Sequence, residues 1–405
     1  MSAFEFSLDE RSPSAALKQP SEISSYSLDA QRQVHIDSTQ ELRYFYFPET
    51  LLPACYDLNQ GYSTWVKKVV PEGGAHLDEM LSALVHYERE INNGKKVKGD
   101  FVTYRGVMTK LLTLPFENDS EDIDINVMAF DGQVFMELDH ELLEAKRAER
   151  DLEQQQRQQK QHGGADNQVD MSYWGYKFEA LATLPRPWGQ CTREEIEARP
   201  RVQVDNNPEY CVLVTTGVGK TRVLLGAEVD AVQDYKPPRA DYKTDRPLDH
   251  YVELKTTRVV DSVRSARAFE RKLLRTWAQS FLIGVPRVVY GFRDGTGIVR
   301  SIQEFSTPEI PKLVHNSTVS GGSGAPAWNG NECVAFYAAV LEWIKATVLA
   351  DSEQERTPWR LQFLRGGRAL SLYKLSGAEA DKVQTKLLLP EFVEWRQSRA
   401  QQKKA

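Results

Sequence analysis

Two short runs carry charge where a buried strand should have none. Residues 222–232 read RVLLGAEVDAV and residues 251–258 read YVELKTTR, so Glu228 and Asp230 flank one valine while Glu253 and Lys255 flank one leucine. Side chains alternate along a strand, which sets Glu228 with Asp230 on one side and Glu253 with Lys255 on another. Ionised carboxylates are costly to bury unless they are paired or hold a metal. Three acids and a lysine at the ends of two apolar strands therefore suggest a divalent-cation site. Carboxylate oxygens suit a hard ion such as Mg2+ or Mn2+, one or two in number. Lys255 could orient a water or steady charge building on a phosphate. The competing reading, two solvated edge strands with salt bridges, is weakened because the pattern occurs twice, a loop apart.

The elements that must position these groups follow from pattern. Alternation over residues 171–183 predicts a strand, with Glu179 as a fourth acid opposite Tyr176, Phe178 and Ala180. Residues 101–115 also read as a strand, with Arg105 beside Gly106. Residues 262–283 are the strongest helix. Phe269, Leu273, Trp277 and Phe281 form an apolar stripe, and Arg264, Arg267, Arg271 and Arg275 form a basic one. That basic stripe is either a solvated face or a phosphate-holding one, and Gln279 in the last turns could face the same cleft. Gly219-Lys220-Thr221 resembles the end of a phosphate-binding loop, but the required first glycine falls at Val214 and a strand follows, so that reading is rejected.

Further elements are a strand over 33–48, a helix over 77–92 and a hairpin of 125–130 with 133–138 about Asp131-Gly132. Strands over 287–292 and 297–305, a helix over 333–349, a hairpin of 359–364 with 369–375 and a helix over 390–396 complete the chain. Residues 1–30 read as an extended arm, 31–397 as one domain and 398–405 as a tail. Residues 140–168 read as a charged, Gln-rich insertion.

The composition, 41% hydrophobic and 27% charged with a formal net charge of -6, is that of a globular protein and argues against indiscriminate coating of nucleic acid. A local basic pocket for a nucleic-acid end is compatible with it. The four cysteines are scattered without a CxxC pair, which excludes a disulfide framework or zinc motif. No signal peptide is apparent, and Glu342 and Lys345 interrupt the most apolar run, so no membrane partner is expected. The cluster Lys95-Lys96-Val97-Lys98 is basic but does not establish nuclear import.

Taken together, Arg105 in TYRGVMTKLL, Gly175-Tyr176-Lys177-Phe178-Glu179, Glu228-Val229-Asp230 and Glu253-Leu254-Lys255 resemble the motifs of the DXO (decapping exoribonuclease) family, which includes the fungal partner of the nuclear 5′→3′ exoribonuclease. Residues 275–293 also look like that family, with Gln279 at its active-site glutamine. The resemblance implies an α+β fold, a single large domain of two mixed or antiparallel sheets flanked by helices, with a PD-(D/E)XK-nuclease-like core.

It further implies metal-dependent hydrolysis at RNA 5′ ends: pyrophosphate release from 5′-triphosphate RNA, removal of incomplete or NAD caps, and in some members 5′→3′ digestion. Glu179, Asp230 and Glu253 are then the expected direct metal ligands, with the Leu254 carbonyl as a fourth and Glu228 acting through a water. Lys255 and Gln279 position the nucleophile, and Arg105 binds the 5′ phosphates. The expected partners are an RNA 5′ end and the nuclear exoribonuclease, and the expected location is the nucleus. A non-catalytic stabilising partner and a PD-(D/E)XK DNA nuclease are the alternative functions.

Overall fold

The computed structural model describes residues 3–402 apart from 14, 49–55, 72–73, 75, 147, 150–169, 318, 320–325 and 351–355. Its described residues form two mixed sheets, one of ten strands and one of seven, with helices between and outside them. This is the expected α+β body. At the centre of the larger sheet, Thr221–Glu228 pairs antiparallel with Glu209–Val218 and parallel with Phe101–Tyr104. In the smaller sheet, Tyr251–Arg258 lies parallel to Arg287–Arg293. The largest apolar core fills the space between the sheets around the helices Arg105–Glu117, Val263–Ile283 and Gly330–Ala350. The last of these is long and apolar enough to cross a membrane, but its Phe336, Tyr337, Val340 and Ile344 are packed in that core.

Some expected elements form where pattern put them. Ile123–Phe130 and Gln133–Leu138 make the predicted hairpin, and Asp131 and Gly132 have φ of 48° and 68°, the signature of a type I′ turn. Gly219-Lys220 is likewise a hairpin turn between paired strands rather than a phosphate loop. The 262–283 helix starts at Val263, capped by Ser262, and ends at Gly284 in the left-handed region.

Others are corrected. Residues 101–115 are not one strand: Phe101–Tyr104 is followed by a helix, Arg105–Glu117, in which Val107, Met108, Leu111, Leu112 and Leu114 are all buried. Because Thr109 and Thr113 are buried beside them as well, the apolar positions trace no clear amphipathic period. Residues 171–183 are also chiefly a helix, Met171–Ala182, capped by Asp170. Its inward stripe contains Lys177, whose ammonium donates to the Pro200 and Val202 carbonyls, so the stripe is not apolar.

The 1–30 segment is not an arm. Phe4–Ser7 is an edge strand, and Leu17–Leu28 pairs along the whole of Glu209–Val218. Ser24, Ser25 and Ser27 are buried there, with Ser27 donating to the Ser38 carbonyl and Ser25 accepting from Lys236. Pro20 falls within the irregular part of that pairing, where a missing N–H is tolerated. Residues 33–48 yield only the short strands Val34–Ile36 and Tyr44–Phe45. The final helix runs Pro390–Gln402, so most of the expected tail is helical. Of the 140–168 insertion, 140–146 and 148–149 are helical and the remainder lies outside the described residues.

Candidate active site

The chain changes sheets between Glu228 and Ala231. Thr221–Glu228 belongs to the larger sheet and Ala231–Val232 to the smaller, where it pairs with Val252 and Tyr251. The expected strand over 222–232 is thus two strands with the E-x-D motif at their junction. Beside it, Arg105 opens its helix directly after Tyr104, the register partner of Gly226. Glu179 comes from the last turn of Met171–Ala182, a helix seated on the smaller sheet. A side chain at Gly291 would place a Cβ 2.6 Å from Phe178, so a glycine lets that helix approach.

These elements bring Arg105, Glu179, Glu228, Asp230, Glu253 and Lys255 into mutual electrostatic contact. Glu253 is 2% exposed and is held by both cations: Arg105 Nη1 donates to its Oε2 at 3.1 Å and Lys255 Nζ to its Oε1. Lys255 Nζ also lies 3.5 Å from Asp230 Oδ2. Asp230 Oδ2 accepts from the Leu254 N–H at 2.7 Å. The pairing with Ala231–Val232 stops at Val252, and the N–H and C=O of one strand residue point to the same edge. The Leu254 carbonyl therefore faces the open edge beside Asp230.

The charge balance is uneven. Burial would raise Glu253, but Lys255 and Arg105 outweigh it and lower its carboxyl to about 2. Asp230 is raised by burial despite Lys255. Glu179 is raised well above the ordinary range by burial and by Asp230. Glu228 is pushed up to about 7 by the surrounding protein and by Glu209 and Asp230, although the residue is exposed and lines the cavity. Burial lowers Lys255, yet Asp230 and Glu253 raise it on balance, so it stays protonated.

Four carboxylates thus surround two fixed cations, and full ionisation leaves two negative charges uncompensated. A divalent ion matches that surplus in charge and in oxygen donors. Among the described residues, no three Asp, Glu, His or Cys groups are already gathered as a metal cage. Glu253 is meanwhile engaged by Arg105 and Lys255.

A cavity of about 470 Å3 opens beside the acids, walled by Glu179, Glu228 and Asp230 with Arg43, Lys68 and Tyr176. Sequence pattern missed several of its polar groups. Glu209 pairs with Arg32 at 2.7 Å and with Lys68, and so adds negative charge behind Glu228. These partners lie far apart in the chain, and no local signal joins them. Lys272 was also missed. It donates to the Thr256 carbonyl at 2.6 Å and is lowered to about 8 by burial, with Arg293 and Lys255 adding repulsion.

The basic stripe on the same helix is mostly a solvated face: Arg264 and Arg271 are exposed, Arg275 pairs with Glu117 and Arg267 binds the Val319 carbonyl. Gln279 is half-buried and makes no hydrogen bond to the acidic cluster among the described residues, so the structure does not join it to the other expected groups.

Two sheets exchanging the chain at an acid pair, with E-x-K on the neighbouring strand, define a nuclease core of the PD-(D/E)XK kind. Residues 18–393 match the RAI1 like PD-(D/E)XK nuclease family, and the chain belongs to that family. It is 38% identical over 397 residues to the decapping nuclease RAI1 of Scheffersomyces stipitis, covering 97% of this chain and 98% of that one. The Candida albicans Rai1 crystal structure in complex with pU5-Mn2+ superposes with a TM-score of 0.89 at 35% identity, covering 98% of this chain and all of that chain. Scheffersomyces stipitis Rai1 in complex with (3'-NADP)+ and calcium ion gives a TM-score of 0.85 at 36% identity over the same shares.

Proposed function

We propose that this protein is a divalent-metal-dependent hydrolase of RNA 5′ ends, releasing pyrophosphate from 5′-triphosphate RNA and removing incomplete or NAD caps. The observation that carries the reading is the gathering of Glu179, Glu228, Asp230 and Glu253 about Arg105 and Lys255 at the sheet junction, set beside a cavity. Glu179, Asp230, Glu253 and the Leu254 carbonyl would hold the cation directly, with Glu228 through a water. When bound, the cation supplies charge neutralisation on the phosphate oxygens and a more acidic water.

The remaining work falls to the chain. Arg105 keeps guanidinium N–H groups beyond the one given to Glu253 and offers them to phosphate oxygens. Lys255 is held protonated by Asp230 and Glu253, so it donates to the reacting phosphate without exchanging its own proton. Glu228, in the wall of the cavity, takes the proton released as water adds to phosphorus and the phosphoanhydride bond breaks. Gln279 is assigned to nucleophile positioning on motif resemblance alone.

The pU5-Mn2+ complex of the Candida albicans relative supports an RNA 5′ end as the ligand, and the (3'-NADP)+ complex of the Scheffersomyces stipitis relative supports a nicotinamide-bearing end. Resemblance to the fungal branch supports binding and stimulation of a nuclear 5′→3′ exoribonuclease, and with it a nuclear location. The test gives purified protein with Mn2+ or Mg2+ a 5′-triphosphate, a capped, an NAD-capped and a 5′-monophosphate RNA. Released pyrophosphate or cap is expected from wild type and not from Glu228→Ala/Asp230→Ala. The monophosphate RNA reads digestion of the body. Absence of turnover by folded wild type on all four would leave the non-catalytic partner role.

A further inference from the structure

The basic cluster at 95–98 is not used by the acidic cleft, and the fold gives it company. Lys95, Lys96 and Lys98 line a groove of about 470 Å3 together with Lys18 and Arg222, and no carboxylate residue lines it. Five basic residues converge there in a chain whose net charge is -6. Lys96 is already paired with Asp131 at 3.0 Å. Lys18, Lys95, Lys98 and Arg222 are exposed and carry no ion pair among the described residues. Tyr87 and Ile23 add apolar surface, and Asn92 and Thr215 add neutral hydrogen-bonding groups. Unpaired cations beside an aromatic ring and neutral donors are the chemistry that tracks a single-stranded phosphate backbone.

The groove is geometrically linked to the cleft. Along Thr221–Glu228, Val223, Leu225 and Ala227 face the core between the sheets. Leu224 faces the second core, and Gly226 meets Tyr104 and Met80 on that side. Alternation therefore puts Arg222 and Glu228 on one face, at opposite ends of one strand. Six residues of strand separate them by about 20 Å. The helix Asp78–His86 covers the middle of that face, and its continuation leads into the groove through Tyr87.

We propose that this groove binds the body of the RNA, several nucleotides 3′ of the end held in the acidic cleft. The proposal rests on the reading of the protein as an RNA 5′-end hydrolase. It makes the protein a bipartite binder in which chain length, not end chemistry, is read at the groove.

The test measures equilibrium binding of 3′-labelled 5′-monophosphate RNAs of about two and about 30 nucleotides to wild type, Lys18→Ala/Lys95→Ala/Lys98→Ala, and the matching triple Lys→Arg variant. The Ala variant is expected to bind the long RNA about tenfold more weakly with a salt slope shallower by about 2. It should bind the short RNA as wild type does, and the Arg variant should restore the long-RNA affinity. Equal effects on both lengths, or none on either, would overturn the proposal; a groove that serves an acidic protein segment gives the second result. Turnover of the two RNAs carrying a 5′-triphosphate, run in parallel, separates the readings. Folded wild type that hydrolyses neither sinks the hydrolase but leaves the length dependence of binding to decide the groove.

Discussion

Two regions of this molecule bury charge, and they do so differently. On the outer face of the larger sheet, Arg396 is fully buried and every direction is answered: Nη2 and Nε reach Glu88 at 2.7 and 3.0 Å, and Nη1 reaches Asp131 at 2.8 Å and Gln133 at 2.9 Å. Glu88 in turn accepts from the Val97 N–H and the Trp395 indole. At the sheet junction, only Glu253 is so treated, while Glu179, Glu228 and Asp230 are held above their ordinary carboxyl range. A closed charge network fixes structure. Carboxylates left partly unanswered beside a cavity are the arrangement that suits a cation.

The contrast can be broken by mutation. The largest effect is expected from Glu228→Ala/Asp230→Ala, which should lower hydrolysis about 100-fold or more while leaving the thermal midpoint of the metal-free protein equal or higher. Arg396→Ala should do the reverse, costing about 3–5 kcal/mol of stability by leaving Glu88 buried without its partner. Its turnover per folded molecule should be kept, as a denaturant titration beside an activity assay will show. Gly291→Ala joins the two effects. It pushes Phe178 and the helix bearing Glu179 off the sheet, with a loss of about 1–3 kcal/mol and a fall in turnover that Ala at an unpacked glycine such as Gly295 does not cause.

A smaller effect sharpens the same comparison. The His76 imidazole is raised by its hydrogen bond to Glu137, at 3.1 Å, with burial opposing. A raised imidazole contributes stability fully present below its unfolded value of 6.5 and lost as pH rises through the folded value. His76→Asn should therefore cost more at pH 5.5 than at pH 8.5. A cost that does not change across that range would mean the pair carries no charge.

What sequence made legible depended on whether burial left a periodic trace. The Asp131-Gly132 hairpin and the Val263–Ile283 helix were readable because turn chemistry and a one-sided apolar stripe are local signals. The E-x-D and E-x-K pairs were readable because charge inside apolar sequence is anomalous wherever it falls. Arg105–Glu117 was misread because threonines share its buried positions and blur its period, and Met171–Ala182 because Lys177 stands in its inward stripe. The consequence for the cluster was small: Glu179 and Arg105 still meet the other acids, but from helices rather than strands. Leu17–Leu28 escaped because polar residues, Glu22, Ser24, Ser25 and Ser27, hold most of its buried positions, and Glu22 and Ser25 are satisfied by Lys236, far away in sequence. Glu209 and Lys68 reach the cleft only through tertiary pairing.

The most direct test of the central claim is the thermal midpoint measured as Mn2+ is added to wild type and to Asp230→Ala. A surplus of carboxylate charge that serves a cation predicts a midpoint that climbs with Mn2+ in wild type, as binding to the folded state requires, and stays flat in the variant. Equal climbs in both proteins would place the metal elsewhere and contradict the account.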